Sequence, residues 1–164
     1  MPYLLDSNIF IQAKNLHYGF DFCPAFWQWI DTEHANGEVY SIEMVRDELI
    51  GGGDELAEWA KARGGEFFLP TDAAMLPSLG AISAWANGGQ YDASGVNEFL
   101  QVADYYLVAH AHAHGFEVVT HEIPAPNSRK RIKIPDACIA HGVKYLSPYQ
   151  LLRRLEARFV LDAA

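Results

Sequence analysis

The 164-residue chain has only two cysteines, Cys23 and Cys138, and 12 basic against 21 acidic residues. Two cysteines without CxxC spacing are too few for a disulfide framework, which indicates reduced thiols and a cytoplasmic protein. The formal net charge of -9 argues against a protein that holds nucleic acid by bulk electrostatics. A nuclease remains compatible with this charge, because the unneutralised carboxylates of a metal-free site contribute to it.

The chain also lacks the segments that direct a protein to a membrane. Residues 1–15 have no basic start, long apolar stretch or small-residue cleavage site. No window approaches the ~20 apolar residues needed to cross a bilayer. With 50% hydrophobic and 13% aromatic residues, the chain can bury one sizeable core but has little material for a second. We therefore expect residues 1–164 to form a single domain without membrane contact.

Short apolar runs alternate with helical patterns along the chain. Strands are predicted just after the N-terminus and at 39–42, 66–69, 117–120 and 144–146. Helices are predicted between them, including one uninterrupted helix over 96–114. This alternation predicts an α/β fold with a central, mainly parallel sheet flanked by helices on both faces. Residues that follow the strands then meet at one edge of the sheet, where ligands bind in open α/β folds.

Four acids lie in apolar surroundings at or near that edge: Asp6, Glu48, Asp104 and Glu122. Burying a carboxylate is costly unless it is paired or binds a metal, and several converging acids favour Mg²⁺ or Mn²⁺. Other interpretations stay open for three of them. Asp6 is also a suitable helix cap, Glu48 is also an ordinary solvated acid beside Asp47, and Glu122 is also an ordinary turn residue.

Four segments together resemble PIN-domain nucleases, the superfamily that includes the VapC-like toxins. These segments are Leu4-Leu5-Asp6-Ser7-Asn8, Ser41 through Leu49, Ala103-Asp104 to Ala109, and 115–122. The Trp-rich stretch 20–30, the segment 54–59 and the segment 134–138 further resemble a functionally uncharacterised PIN-like branch. The resemblance covers most of the chain and implies a single PIN-like domain.

The resemblance also implies roles for individual residues. It makes Asp6, Glu48 and Asp104 the central catalytic and metal-binding acids, with Glu122 as the fourth. The commonest family pattern has Asp at the last acidic position, so Asp136 competes with Glu122 as a metal ligand. Three further side chains would contact the metal ligands and orient them: Ser7, Asn8 and Thr120.

The implied activity is that of a Mg²⁺- or Mn²⁺-dependent endoribonuclease. The residues alone indicate a phosphate-containing substrate, whereas RNA follows from the resemblance, as do an antitoxin protein and a second copy of the chain as candidate partners. A different interpretation is a non-catalytic PIN-like module that binds RNA or protein. The acidity of the chain and the aromatic residues Trp27, Trp29 and Trp85 keep that alternative open.

The run 128–133 is the one concentrated basic segment of this acidic chain. Its cationic side chains are candidates for contacting the RNA backbone, although an acidic partner or a solvated loop would also explain the run. These side chains are Arg129, Lys130, Arg131 and Lys133.

Four histidines raise the alternative of a zinc hydrolase: His110, His112, His114 and His121. On a helix, His110 and His114 share a face whereas His112 points away, so these three cannot converge on one ion. The zinc interpretation is therefore the weaker one.

Overall fold

A five-stranded parallel sheet forms the centre of the fold in the computed structural model, which describes residues 2–162. Its strands are β1 (Tyr3–Leu5), β2 (Val39–Ile42), β3 (Phe68–Leu69), β4 (Glu117–Val119) and β5 (Tyr145–Leu146). Their order across the sheet is β3-β2-β1-β4-β5, and each neighbouring pair is parallel. The predicted α/β architecture is confirmed, with a sheet that is wholly rather than mainly parallel.

Helices connect the strands and flank the sheet. Their bounds are α1 (Ser7–Gln12), α2 (Pro24–Ala35), α3 (Glu43–Gly51), α4 (Glu55–Lys61), α5 (Leu76–Ala86), α6 (Ala93–Gln101), α7 (Ala103–His114), α8 (Ile134–Ala140) and α9 (Pro148–Arg154). A π-helical turn over Ala13–His17 extends α1, and a 3₁₀ turn over Ala73–Met75 precedes α5. Because β1 and β4 are neighbours, the residues that follow them lie side by side.

The prediction of one uninterrupted helix over 96–114 is wrong. The backbone is extended at Val102, with φ -111° and ψ 168°, and this single residue ends α6 and precedes α7. The buried residues Val96, Phe99, Ala103 and Leu107 keep helical spacing across the break, so the hydrophobic periodicity carries no sign of it. The break places Asp104 in the first turn of α7 instead of the middle of a long helix.

The tryptophans belong to the core and its margins. Trp27 is 4% exposed, and its indole nitrogen donates a hydrogen bond to the Tyr18 carbonyl at 2.8 Å. Trp29 and Trp85 are partly buried and pack against the core. These aromatic side chains therefore give no support to a partner-binding surface. No helix among the described residues combines the length and apolar character that a bilayer span requires.

Candidate active site

Asp6 links β1 to α1, but its carboxylate does not cap the helix. The residue has the extended backbone of an N-cap, yet its side chain makes no capping hydrogen bond. Its Oδ2 instead accepts a hydrogen bond at 3.1 Å from Oγ1 of Thr120, the residue that directly follows β4. The carboxylate thus points along the carboxyl edge of the sheet, which favours the site interpretation over the capping one.

Ser7 connects Asp6 to Glu48. Its hydroxyl donates to Glu48 Oε2 at 2.5 Å and lies 3.4 Å from Asp6 Oδ1. Glu48 is an exposed residue of α3, and the Ser7 contact holds its side chain at the edge of the sheet. The neighbouring Asp47 is also exposed but does not line the cleft described next.

An open cleft of about 390 Å³ brings the four predicted acids together. Its acidic lining consists of Asp6, Glu48, Asp104, Glu122 and, in addition, Glu98. Asn8 and Gln101 also line it. The sequence gives no signal for Glu98 or Gln101, because both are exposed residues of α6 that resemble a solvated helix face and reach the cleft only through the break at Val102.

Burial and mutual repulsion disfavour ionisation of two of the cleft acids, Asp6 and Asp104, which we call the inner acids. Burial, followed by the charges of Asp104, Glu122 and Glu48, raises the pKa of Asp6 to about 7. Burial, followed by the charges of Glu122 and Glu48, raises the pKa of Asp104 to about 6. Among the described residues, neither carboxylate forms an ion pair with a lysine, arginine or histidine. A bound cation would relieve the repulsion between these two carboxylates and their acidic neighbours.

The structure places Glu122 in the cleft and Asp136 outside it. Glu122 Oε1 accepts the Ile134 N–H at 2.9 Å, and its Oε2 pairs with the Arg131 guanidinium at 3.3 Å. Asp136 lies in the first turn of α8, where its Oδ2 accepts the Ala125 N–H at 2.9 Å. Asp136 therefore holds the loop before α8, whereas Glu122 both faces the other acids and anchors Arg131.

Thr120 is placed to orient both sides of the site. Besides its contact with Asp6, its Oγ1 accepts a hydrogen bond from the Glu122 N–H at 3.1 Å. One buried hydroxyl thereby fixes the Asp6 carboxylate and the backbone that carries Glu122. Asn8 lines the cleft as an exposed residue, one position beyond Ser7.

The basic run reaches the cleft through one side chain, that of Arg131. Arg129 instead lies 3.8 Å from the Asp92 carboxylate, and both side chains are largely solvated. The loop is held against α6 at Gly95, where a Cβ atom would come within 2.6 Å of the Lys130 carbonyl oxygen. Lys133 precedes α8 as its N-cap residue. The close approach at Gly95 keeps the loop, and with it Arg131, beside the acids.

The histidines are divided among three surroundings. His110 lies next to His114, with ring centroids 4.7 Å apart and the rings tilted by 41°, and burial lowers the pKa of His110 to about 4. His114 pairs with the Asp72 carboxylate, whereas His112 bonds to the Ser78 hydroxyl. His121 lies elsewhere, at the carboxyl edge of the sheet. This dispersal argues against the zinc-hydrolase interpretation.

Among residues 2–162, no three His, Cys, Asp or Glu side chains stand close enough together to hold a metal ion in this conformation. The chemistry of the donors nevertheless fits Mg²⁺ or Mn²⁺, since the cleft offers carboxylate oxygens and no thiolate or imidazole.

The comparisons with known proteins agree with the fold. A family model described as "Domain of unknown function (DUF4411)" matches residues 3–159. A chain of the crystal structure of VapBC2 from Rickettsia felis, bound to a DNA fragment from the promoter, superimposes with a TM-score of 0.54 at 15% identity, covering 90% of this chain and 98% of that one. At this identity the likeness is one of fold, and it supports the PIN-like fold expected from the sequence. No curated protein matches the sequence.

Proposed function

The chain belongs to the DUF4411 family, whose description assigns no activity, and from that premise we propose that it is a Mg²⁺- or Mn²⁺-dependent endoribonuclease. The observation that carries this proposal is the gathering of Asp6, Glu48, Asp104 and Glu122 around one cleft, where Asp6 is buried, Asp104 is partly buried and the pKa values of both are raised. Keeping such charges together opposes folding, so a role in cation binding explains their presence better than a structural role does.

We assign the binding of the cation to Asp6, Glu48 and Asp104, with Glu122 as the fourth acid. When bound, a divalent cation supplies an activated water and neutralises charge on the phosphodiester. Ser7 and Thr120 restrict the positions of the Asp6 and Glu48 carboxylates, which reduces the reorganisation that binding requires. Arg131, the cationic side chain of the cleft, is placed to contact a phosphate oxygen of the substrate.

The PIN-like fold supports RNA as the substrate and a toxin role with an antitoxin as protein partner. The R. felis neighbour is named as the complex VapBC2 on a promoter DNA fragment. By analogy with that complex, we propose that this chain binds a protein partner. We also propose that it pairs with a second copy of itself. We further propose that the protein is cytoplasmic and that residues 1–164 form a single domain.

Cleavage of RNA by the purified protein tests this function. The parent protein and the Asp6→Asn variant are incubated with total RNA in Mg²⁺, Mn²⁺, Zn²⁺ or EDTA, and the new ends are sequenced. We expect discrete ends with Mg²⁺ or Mn²⁺ in the parent only. Cleavage that persists in EDTA or in Asp6→Asn would contradict the proposal.

The non-catalytic alternative predicts a different result for the same samples. A binding module retains RNA or a protein partner, yet produces no new ends with any of the cations. The cleft acids favour the enzyme, because a module that binds an anionic backbone gains nothing from buried carboxylates.

A further inference from the structure

Three aromatic rings meet near the carboxyl edge of the sheet: His17, His121 and Tyr149. His121 directly follows Thr120, His17 ends the π-helical turn after α1, and Tyr149 lies in the first turn of α9. The ring centroids are 5.9 Å apart for the two histidines, and each histidine ring lies 6.0 Å from the Tyr149 ring. Three segments distant in sequence thus contribute one ring each to a single surface, which we call the aromatic platform.

The aromatic platform faces solvent instead of the core. Tyr149 is 40% exposed and His17 is exposed, whereas His121 is partly buried. The two imidazole rings are tilted by only 33°, and Tyr149 stands nearly perpendicular to His17, at 82°. A hydrogen bond of 3.3 Å joins the Tyr149 hydroxyl to His17 Nε2. The rings are therefore ordered by one another while part of their flat surface stays available to a ligand.

The backbone that presents His17 is unusual in its own right. Residues Ala13–His17 form a π-helical turn, in which the Tyr18 N–H reaches back to the Ala13 carbonyl at 2.7 Å. Single π-helical turns are rare and are found frequently at functional sites. Here the wider turn lies between α1, which begins at the carboxyl edge of the sheet, and the ring of His17.

We propose that the aromatic platform stacks a nucleobase of a single-stranded RNA substrate next to the phosphate in the cleft, a proposal that rests on the ribonuclease function. Base stacking on aromatic side chains is tolerant of sequence and requires unpaired bases. His121 lies between Thr120, which bonds to Asp6, and Glu122, which lines the cleft. The platform is thus within one residue of the acids along the chain.

Binding measurements on the cleavage-deficient Asp6→Asn protein test the proposal. The probes are a single-stranded RNA of ~12 nucleotides, within the range of single-strand site sizes, and the same backbone with abasic sites throughout. We expect the base-bearing RNA to bind roughly 5- to 150-fold more tightly, the range that stacking of one base gives. Adding Tyr149→Leu or His17→Ala should remove at least ~5-fold of that preference and leave the affinity for the abasic strand unchanged.

Phe22→Leu serves as the control, since Phe22 is an exposed aromatic residue that lines a different pocket. It should leave both affinities unchanged. If the rings only hold α9 in place, the Tyr149 and His17 variants will lower the melting temperature and weaken binding of both strands alike, and the proposal is overturned. Equal affinity of Asp6→Asn for the two strands, or binding of neither, overturns it as well.

The cleavage assay on the parent separates this proposal from the ribonuclease function. Base-dependent binding without metal-dependent cleavage means that the nuclease function is wrong while the platform stands. Cleavage without base-dependent binding means that the platform is wrong while the nuclease function stands.

Discussion

Thr120 donates a hydrogen bond to the Asp6 carboxylate across 3.1 Å and so joins the carboxyl ends of β4 and β1. This contact favours the charged carboxylate, but burial and the charges of the neighbouring acids outweigh it and raise the pKa of Asp6 to about 7. The folded protein therefore binds a proton at Asp6 more tightly than the unfolded chain, where the ordinary value of 3.8 applies.

The first prediction concerns the pH dependence of stability without metal. For Asp6, the free energy of unfolding is highest below about pH 4 and falls as the pH rises through about 7, because ionisation then costs more in the folded state. Asp6→Asn removes this destabilisation and should raise the free energy of unfolding at pH 8 by about 1–4 kcal/mol relative to the parent. Urea titrations in EDTA between pH 4.5 and 8 measure the difference.

Asp47→Asn is the control for this measurement, since Asp47 is exposed and does not line the cleft. Its unfolding should follow the parent at every pH. A lower stability of Asp6→Asn than of the parent at pH 8 would mean that the contacts of the Asp6 carboxylate are structural.

The second prediction is that Mg²⁺ or Mn²⁺ stabilises the parent protein. A cation at about 100 times its dissociation constant adds ~2.7 kcal/mol to the free energy of unfolding, and a chain of this length gains roughly 2–4 °C per kcal/mol. We expect a rise of about 5–10 °C in melting temperature for the parent and for Asp136→Asn. Asp6→Asn should show almost none, and an equal rise in all three proteins would exclude the cleft as the binding site.

The sequence predicts the strands of this fold better than it predicts helix ends and loops. Asp6 and Thr120 were predictable neighbours, because apolar runs identify strands and parallel strands end at one edge. The end of α6 could not be predicted, because Val102 is neither Gly nor Pro. The buried positions on both sides of Val102 also keep the same helical spacing. That break decides which of the residues in 96–104 face the cleft.

The course of the loop that carries the basic run could not be predicted from the sequence either. The sequence indicates that Arg131 belongs to a basic run, but only the folded loop shows that it alone of that run reaches the cleft and meets Glu122. This position of Arg131 depends on the close approach at Gly95 and on the hydrogen bond from the Ile134 N–H to Glu122. Such long-range interactions have no periodic signature.

The third prediction compares two neighbouring acids of α3. Glu48→Gln should lower the rate of RNA cleavage by at least ~100-fold, which corresponds to ~2.7 kcal/mol of activation free energy, because it removes a proposed cation ligand. Asp47→Asn removes the same charge one residue away and should cleave like the parent. Single-turnover cleavage at saturating Mg²⁺ makes the comparison, and similar decreases in both variants would point to net charge instead of ligation.

The fourth prediction concerns the uncertain fourth acid. Glu122→Gln should lower cleavage by roughly 10–100-fold, since the amide still accepts the Ile134 N–H but no longer attracts a cation or Arg131. Asp136→Asn should cleave nearly normally, because its amide oxygen can still accept the Ala125 N–H. The same cleavage assay ranks the variants, and the reverse order would move the assignment to Asp136.

The last prediction concerns the basic run. Replacing its four cationic residues, Arg129, Lys130, Arg131 and Lys133, with Gln in the Asp6→Asn background should weaken RNA binding uniformly across sequences. The logarithmic salt dependence should become shallower by about 0.7 for each phosphate that the variant no longer neutralises.

Single substitutions show how much each of the two arginines contributes to the loss of RNA binding. Arg131→Gln should account for more of it than Arg129→Gln, because Arg131 lines the cleft whereas Arg129 lies near Asp92. The cation-induced rise in melting temperature should persist in the quadruple variant with Asp6 restored, since guanidinium and ammonium groups donate hydrogen bonds and do not ligate cations. An unchanged salt slope in the quadruple variant would exclude a phosphate-binding role and leave the run as a solvated loop or a surface for an acidic partner.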